Sequence, residues 1–340
     1  MKKLLSLMLA LVLALGLLPS ALAVNEDVKG DLMIYTSMYP MVVDAMSAAL
    51  KSEFPNLKVE FFYAGTGKIQ DKVVGEMETG TLGCDMMLVA DPSYAIELKE
   101  GGWLHSFEVE NKDKLAFDYD PEGYWYPIRG CVMVLGYNPQ KKELKDLPDS
   151  FQGFAETEAL KGKTSMSNPL TSGTALVAIS ALQAKYGYEY FDALGKNAVY
   201  IESGSTALSK LESGECDVIM VLEESILQRR KDEGSKLAVI YPADGNIMVP
   251  SPVIIIDESK SANVNIEAAE AVANWLLGDT GQKLIVEGFM HSVVKDFALS
   301  PYDSIPTKDV LANTMPVDWE ATYKNRESLR NEFQERVTQK

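Results

Sequence analysis

From residue 31 onward the chain alternates short apolar runs with amphipathic stretches. Residues 31–35 (DLMIY), 58–63 (KVEFFY) and 85–89 (DMMLV) read as strands. Each precedes a helix. The first opens at Pro40 and reaches Phe54, the second follows Ala64-Gly65-Thr66-Gly67 and runs to about Glu78, and the third begins after Ala90-Asp91-Pro92-Ser93. Strands that are apolar on both faces and alternate with helices predict a mostly parallel sheet flanked by helices.

The pattern then repeats. Residues 131–137 form a long apolar strand ending at Asn138-Pro139, and a charged connection leads to a short strand at 163–167. After it come the loop Thr171-Ser172-Gly173-Thr174, a helix to Tyr186, a strand at 199–201, the loop Glu202-Ser203-Gly204-Ser205-Thr206 and a helix to Ser213. A strand at 217–222 ends at Glu223-Glu224-Ser225, and its helix closes near Gly234. Residues 76–91 and 211–224 share a helix end, a glycine, the pair Cys-Asp, an apolar strand and a closing acid, as pseudo-equivalent lobes would.

Residues 253–256 (VIII), after Pro250-Ser251-Pro252, read as a strand that returns to the first unit, with helices at 266–277 and from 281. The expected architecture is therefore α/β and two-lobed: residues 24–137 plus 253–340 in one lobe, 138–252 in the other. Two strands, near Tyr137 and Val253, form the hinge, and a charged amphipathic helix at 319–337 packs outside. A cleft spanned by two crossings suits closure by hinge motion.

Lys2 and Lys3 precede an apolar run at 4–18, then Pro19 and Ala21-Leu22-Ala23, the order of a cleavable secretory signal over residues 1–23. The run is short for a membrane span, and no cysteine lies near the cut to carry a lipid anchor. The expectation is an exported, freely soluble protein, most naturally periplasmic and monomeric. A formal charge of −17 argues against nucleic acid or an anionic membrane as partner. Three cysteines, Cys84, Cys131 and Cys216, match no disulfide framework or zinc spacing and read as small buried apolar residues. With two histidines, His105 and His291, and no Ser-His-Asp, Cys-His or HExxH arrangement, neither a catalytic set nor a metal site or cofactor is indicated.

Chemistry concentrates where strands end. Four loops set hydroxyls at a helix start: Thr36-Ser37, Thr66-Gly67, Ser172-Gly173-Thr174 and Ser203-Gly204-Ser205. Parallel strands gather such loops on one side of a sheet, and convergent helix N-termini favour an anion such as phosphate or phosphonate. Lys68 and Arg129 are the cationic candidates. Asp91, Glu223 and Glu224 would take the other end of the ligand, accepting from hydroxyls or pairing with an ammonium. Of the aromatic residues near the rims, Tyr35, Tyr39, Tyr63, Tyr94, Trp125 and Tyr126, we take Tyr39 and Trp125 as contacts and the rest as packing.

The segments IYTSMYP, AGTGKIQDKV, GCDMMLVADP, WYPIRGCVMVLGYNP, NPLTSGTALVAISAL, VYIESGSTALSKLESGECDVIMV and VIYPADG resemble periplasmic solute-binding proteins of ABC importers, in the ferric-iron-binding-like branch. The resemblance covers nearly the whole chain after the leader. It implies a type II periplasmic-binding-protein fold that delivers a small solute to a permease and its ATPase, and no enzyme. In ferric-binding members adjacent tyrosines follow the strand equivalent to 217–222, where this chain has Glu223-Glu224-Ser225, so iron is the alternative ligand and not the first. Members without those tyrosines bind sugar phosphates or aminoalkylphosphonates. Two other classes stand beside import: a ligand sensor for a membrane receptor, which would share the same binding lobes, and a secreted enzyme, for which the chain lacks the residues.

Overall fold

The computed structural model of the chain describes residues 24–339; the expected leader over residues 1–23 lies outside them. Ten strands form the sheet: β1 (Gly30–Thr36), β2 (Leu57–Tyr63), β3 (Met86–Leu88), β4 (Leu104–His105), β5 (Trp125–Tyr137), β6 (Thr164–Ser167), β7 (Tyr200–Glu202), β8 (Val218–Leu222), β9 (Ala238–Ile240) and β10 (Ile247–Ile256). Their order is β2-β1-β3-β10-β5-β8-β6-β7, with β4 paired to β10 and β9 to β5.

That order has the same logic from either end. β1 lies parallel between β2 and β3, and β10 closes this half by running antiparallel to β3. β6 lies parallel between β7 and β8, and β5 closes the other half by running antiparallel to β8. The similarity between 76–91 and 211–224 thus maps onto β3 and β8, which hold matching places. Apolar strand faces explain the burial: Met86, Met87 and Leu88 of β3 are all buried, as are Val218, Ile219, Met220 and Val221 of β8.

The two halves meet at a pair of long antiparallel strands, β5 and β10, registered from Ile247↔Met133 to Ile254↔Trp125. Both are longer than the sequence pattern suggests. β5 begins six residues before Cys131, and β10 runs straight through Pro250 and Pro252 rather than starting after them. A proline has no N–H for the ladder, and the register shift at Ser251/Pro252 absorbs that loss. Strand β10 is buried from end to end, so the prolines interrupt the pairing without breaking the strand.

The tail departs from expectation. Instead of one outer helix it forms Trp319–Lys324, Arg326–Phe333 and a wider turn at Gln334–Thr338. Arg326 pairs with Glu97 and approaches Asp91, whereas the Phe333 ring meets Phe191 edge-on at 5.4 Å and Arg336 reaches Asp192 at 2.8 Å. It therefore lies against residues from both halves of the sheet. Thr322, Leu329 and Phe333 are buried, which a solvated outer helix would not require.

Candidate functional site

Four helices begin around one cavity of about 170 Å³. After β1 the helix Pro40–Glu53 starts behind Tyr39, and after β2 the helix Thr66–Met77 starts behind Gly65. From the other half come Gly173–Tyr186 behind Ser172 and Glu223–Asp232 directly behind Leu222. Tyr39, Gly65 and Leu222 give their helices no side-chain cap. Ser172 does cap, taking the Ala175 amide at 3.3 Å, and its hydroxyl lies 3.2 Å from that of Thr174. The first amides of a helix lack acceptors inside it, so the positive ends of these helices converge on the cavity.

Two contacts bridge the sides of the cavity, which stays open to solvent beside Tyr63. The Gly67 amide donates to the Thr171 carbonyl across the gap at 3.3 Å, and the Tyr39 and Ser225 hydroxyls meet at 2.8 Å. Glycine makes the approach feasible: a Cβ on Gly67 would stand 3.0 Å from Thr171 Cα and O, and one on Gly173 would stand 3.1 Å from Thr66.

Two buried groups lining this space each leave one polar atom without a partner. Arg129 of β5 is 2% exposed; its Nη1 points at Met290 Sδ (3.2 Å), its Nη2 is 3.5 Å from Ser37 Oγ, and its Nε has no partner. Glu224 is also 2% exposed, and its Oε1 has no partner. Burial pushes the Glu224 carboxyl up to about 7, against the opposing pull of its own amide, the Cys131 thiol and Arg129. Burial and then Glu224 push the Cys131 thiol up to about 12, and the same two causes raise the Tyr39 phenol. Buried polar atoms are normally paired, so an orphaned guanidinium N–H and an orphaned carboxylate oxygen in one cavity make it the candidate site.

A family model described as a bacterial extracellular solute-binding protein matches residues 45–306. The chain belongs to that family. Three solved structures share its fold. Iron-bound HitA from Pseudomonas aeruginosa has a TM-score of 0.77 at 19% identity, covering 89% of this chain and 99% of that one. AfuA from Actinobacillus pleuropneumoniae, with exogenous fructose-6-phosphate bound, has 0.78 at 20%, covering 92% and 100%. The substrate-binding protein of an ABC transporter from Agrobacterium tumefaciens has 0.79 at 16%, covering 93% and 96%. Among curated proteins, none matches the chain by sequence.

In this solute-binding protein the fold sorts the residues that the sequence pattern groups together. Ser37, Tyr39, Thr66, Arg129, Ser172, Gly173, Thr174 and Glu224 line the cavity, and Gly67 sits at its closing contact. Thr36 stands behind the wall, donating to Leu88 O and accepting from Met38 N. Lys68 is exposed outside it. Ser203, Gly204 and Ser205 do not reach it either: Ser203 caps its own helix at Thr206 N (3.2 Å), and β7 is the edge strand of its half. Strand β2 is an edge strand too, yet its loop is carried across the cleft to Thr171.

Asp91 is the N-cap of the helix Pro92–Glu100, accepting from Ser93 N at 2.9 Å, with Arg326 3.7 Å away. Glu223 accepts from Tyr241, from Ser304 (2.6 Å) and from His291 Nε2 (2.7 Å). Thr307 completes a hydroxyl–imidazole–carboxylate chain through His291 Nδ1 at 2.9 Å, a grouping that no sequence spacing announces. With Glu223 and His291 1% exposed or less and every Glu223 contact occupied, that chain fastens the back of the cavity wall.

Trp125 is core, packed with Tyr94 and Leu104, while Tyr63 is 49% exposed and lines the cavity. The aromatic assignment is thus reversed at these two positions. Trp125 opens a strand buried in mid-sheet, whereas Tyr63 ends an edge strand. Cys131 also lines the site, and its signal was available: it follows Arg129 by two, so both face the same side of β5. Among the described residues no group of three His, Cys, Asp or Glu side chains is placed to hold a metal ion.

Proposed function

We propose that this solute-binding protein closes around a compact phosphorylated or phosphonate-bearing molecule and hands it to an ABC permease driven by its ATPase. The observation that carries the reading is Arg129, buried with a free Nε in a cavity ringed by four helix starts. Several partial positive ends plus one guanidinium favour an oxyanion, and the hydroxyls of Ser37, Thr66, Ser172 and Thr174 supply further donors. A cavity of about 170 Å³ suits a small ligand.

The lobes would be residues 24–137 with 253–340 and residues 138–252, hinged on β5 and β10, in a periplasmic monomer freed of residues 1–23. Binding followed by release explains a cavity built from both halves. A ferric ion is the second reading, favoured by the iron-bound relative and by three hard oxygen donors here, Tyr39, Tyr63 and Glu224. It would have to ionise Tyr39 against the effects of burial and Glu224.

Thermal-shift titration of residues 24–340 separates the two. Aminoethylphosphonate, hexose phosphates, inorganic phosphate and ferric citrate are the probes, with Arg129→Met as control. A melting temperature that rises with a phosphorylated or phosphonate probe, and no longer rises in the variant, supports the proposal. A response to ferric citrate alone refutes it.

A further inference from the structure

A residue outside the cavity gains a role that rests on the oxyanion reading above. We infer that His291 is the positioning residue of the site: without lining the cavity, it fixes Glu224 against Arg129 and so sets the affinity for the solute.

Arg129 and Glu224 reach the cavity from different elements, the first from β5 and the second from the start of the helix Glu223–Asp232. Strand pairing sets Leu222 opposite Met133 and ends there, so the direction of the next two residues is left to side chains. His291 supplies the missing link. Its main chain exchanges both hydrogen bonds with Gly130, the neighbour of Arg129, at 2.8 and 2.9 Å. Its Nε2 lies 2.7 Å from Oε2 of Glu223, the neighbour of Glu224. Met290, the preceding residue, takes Arg129 Nη1 on its sulfur at 3.2 Å. Two consecutive residues thus hold both cavity charges from behind, and of the three donors to Glu223 only His291 is also paired to β5.

The backbone around His291 is shaped for this contact. Gly130 leaves room for it, since a Cβ there would stand 3.3 Å from His291 Cβ. Phe289 has a φ of 68°, a left-handed conformation that a bulky residue rarely takes, and it turns the chain out of the helix Asp279–Glu287 toward Met290 and His291. Such strain persists where the surroundings over-determine it, and it clusters at ligand sites. From outside, the Thr307 hydroxyl stands 2.9 Å from Nδ1 and keeps the ring from turning. His291 and Glu223 are 1% exposed or less, so water competes little for the bond between them.

The chain has two histidines, so nitrogen spectra of residues 24–340 carrying isotope-labelled histidine show two sets of ring signals. Saturating aminoethylphosphonate or inorganic phosphate should shift those of His291. Those of His105, which pairs with Glu270 and does not line the cavity, should stay in place. Calorimetry at a temperature where each variant is folded then reads affinity apart from stability. His291→Leu removes a donor to a buried carboxylate and should weaken binding of the same probe about tenfold or more. His291→Gln can place an amide N–H where Nε2 lies and should stay within about threefold of wild type. A folded leucine variant that binds as wild type does, or wild-type His291 signals that do not move on binding, overturns the positioning role and leaves the oxyanion site standing. If the leucine variant does not fold, the wild-type spectra decide. Binding of no probe to wild type overturns the oxyanion reading together with this one.

Discussion

Glu223 and Glu224 are consecutive in the chain and face opposite sides of one wall. Glu223 takes hydrogen bonds from Tyr241, Ser304 and His291; Glu224 keeps Oε1 free in the cavity. The first two residues of the helix Glu223–Asp232 point in directions about 100° apart, so one anchors the helix and the other lines the cavity.

The raised Glu224 value makes stability depend on pH. Because the folded state holds the carboxyl at about 7, above its ordinary 4.5, the fold prefers the protonated form. That preference is complete below about 4.5 and is lost as pH climbs through about 7, a change of about 3 kcal/mol at most. Urea unfolding of the solute-free protein should show wild type losing more stability than Glu224→Gln between about pH 5 and 8. Parallel losses in the two proteins would place the pH dependence elsewhere.

Arg129 predicts opposite effects on stability and on binding. It is a buried cation without a carboxylate in ion-pair range among the described residues, a costly arrangement in the solute-free protein. Arg129→Met should raise the unfolding free energy of the empty protein by about 1 kcal/mol or more while weakening solute binding about 100-fold. Denaturant titration and calorimetry read the two signs separately. A variant that binds as well as wild type would show that Arg129 is structural.

Gly67 should separate closure from folding. An added methyl meets Thr171 at 3.0 Å across the gap, yet within its own helix alanine is favoured over glycine. Gly67→Ala should therefore leave the empty protein as stable as wild type or up to about 1 kcal/mol more so, and lower solute affinity about tenfold or more. Small-angle scattering with saturating solute should show a larger radius of gyration than wild type.

The Tyr39–Ser225 hydrogen bond, at 2.8 Å, joins the start of one helix to the first turn of another from the other half of the sheet. Tyr39→Phe should weaken the closed form by about 1 kcal/mol, seen as a solute dissociation rate about fivefold faster with a nearly unchanged association rate. An unchanged dissociation rate would mean that Ser225 finds another partner.

The positions of the strands and of most helix starts follow from local pattern. Residues 266–277 fall within the helix limits read from sequence, and β1, β2, β6 and β8 agree to a residue or two, because apolar periodicity and capping residues act over short distances. The short strands β4 and β9 and the helices Phe151–Glu156 and Glu189–Lys196 have too little length to carry a period. β10 was read short because proline normally ends a strand, a rule that holds only where no bulge and no neighbours hold the chain extended.

The sequence by itself determined that several helices begin with small hydroxyl residues, that two α/β units repeat, and that Arg129 and Glu224 exist to be used. Which of those beginnings share a cavity was decided by sheet order, which joins edge strand β2 to Thr171 across the gap and leaves edge strand β7 aside. Which acid lines the cavity was likewise a tertiary matter. Asp91, Glu223 and Glu224 are alike as residues, and only their partners, Arg326 for the first, His291 for the second and none for the Oε1 of the third, tell them apart.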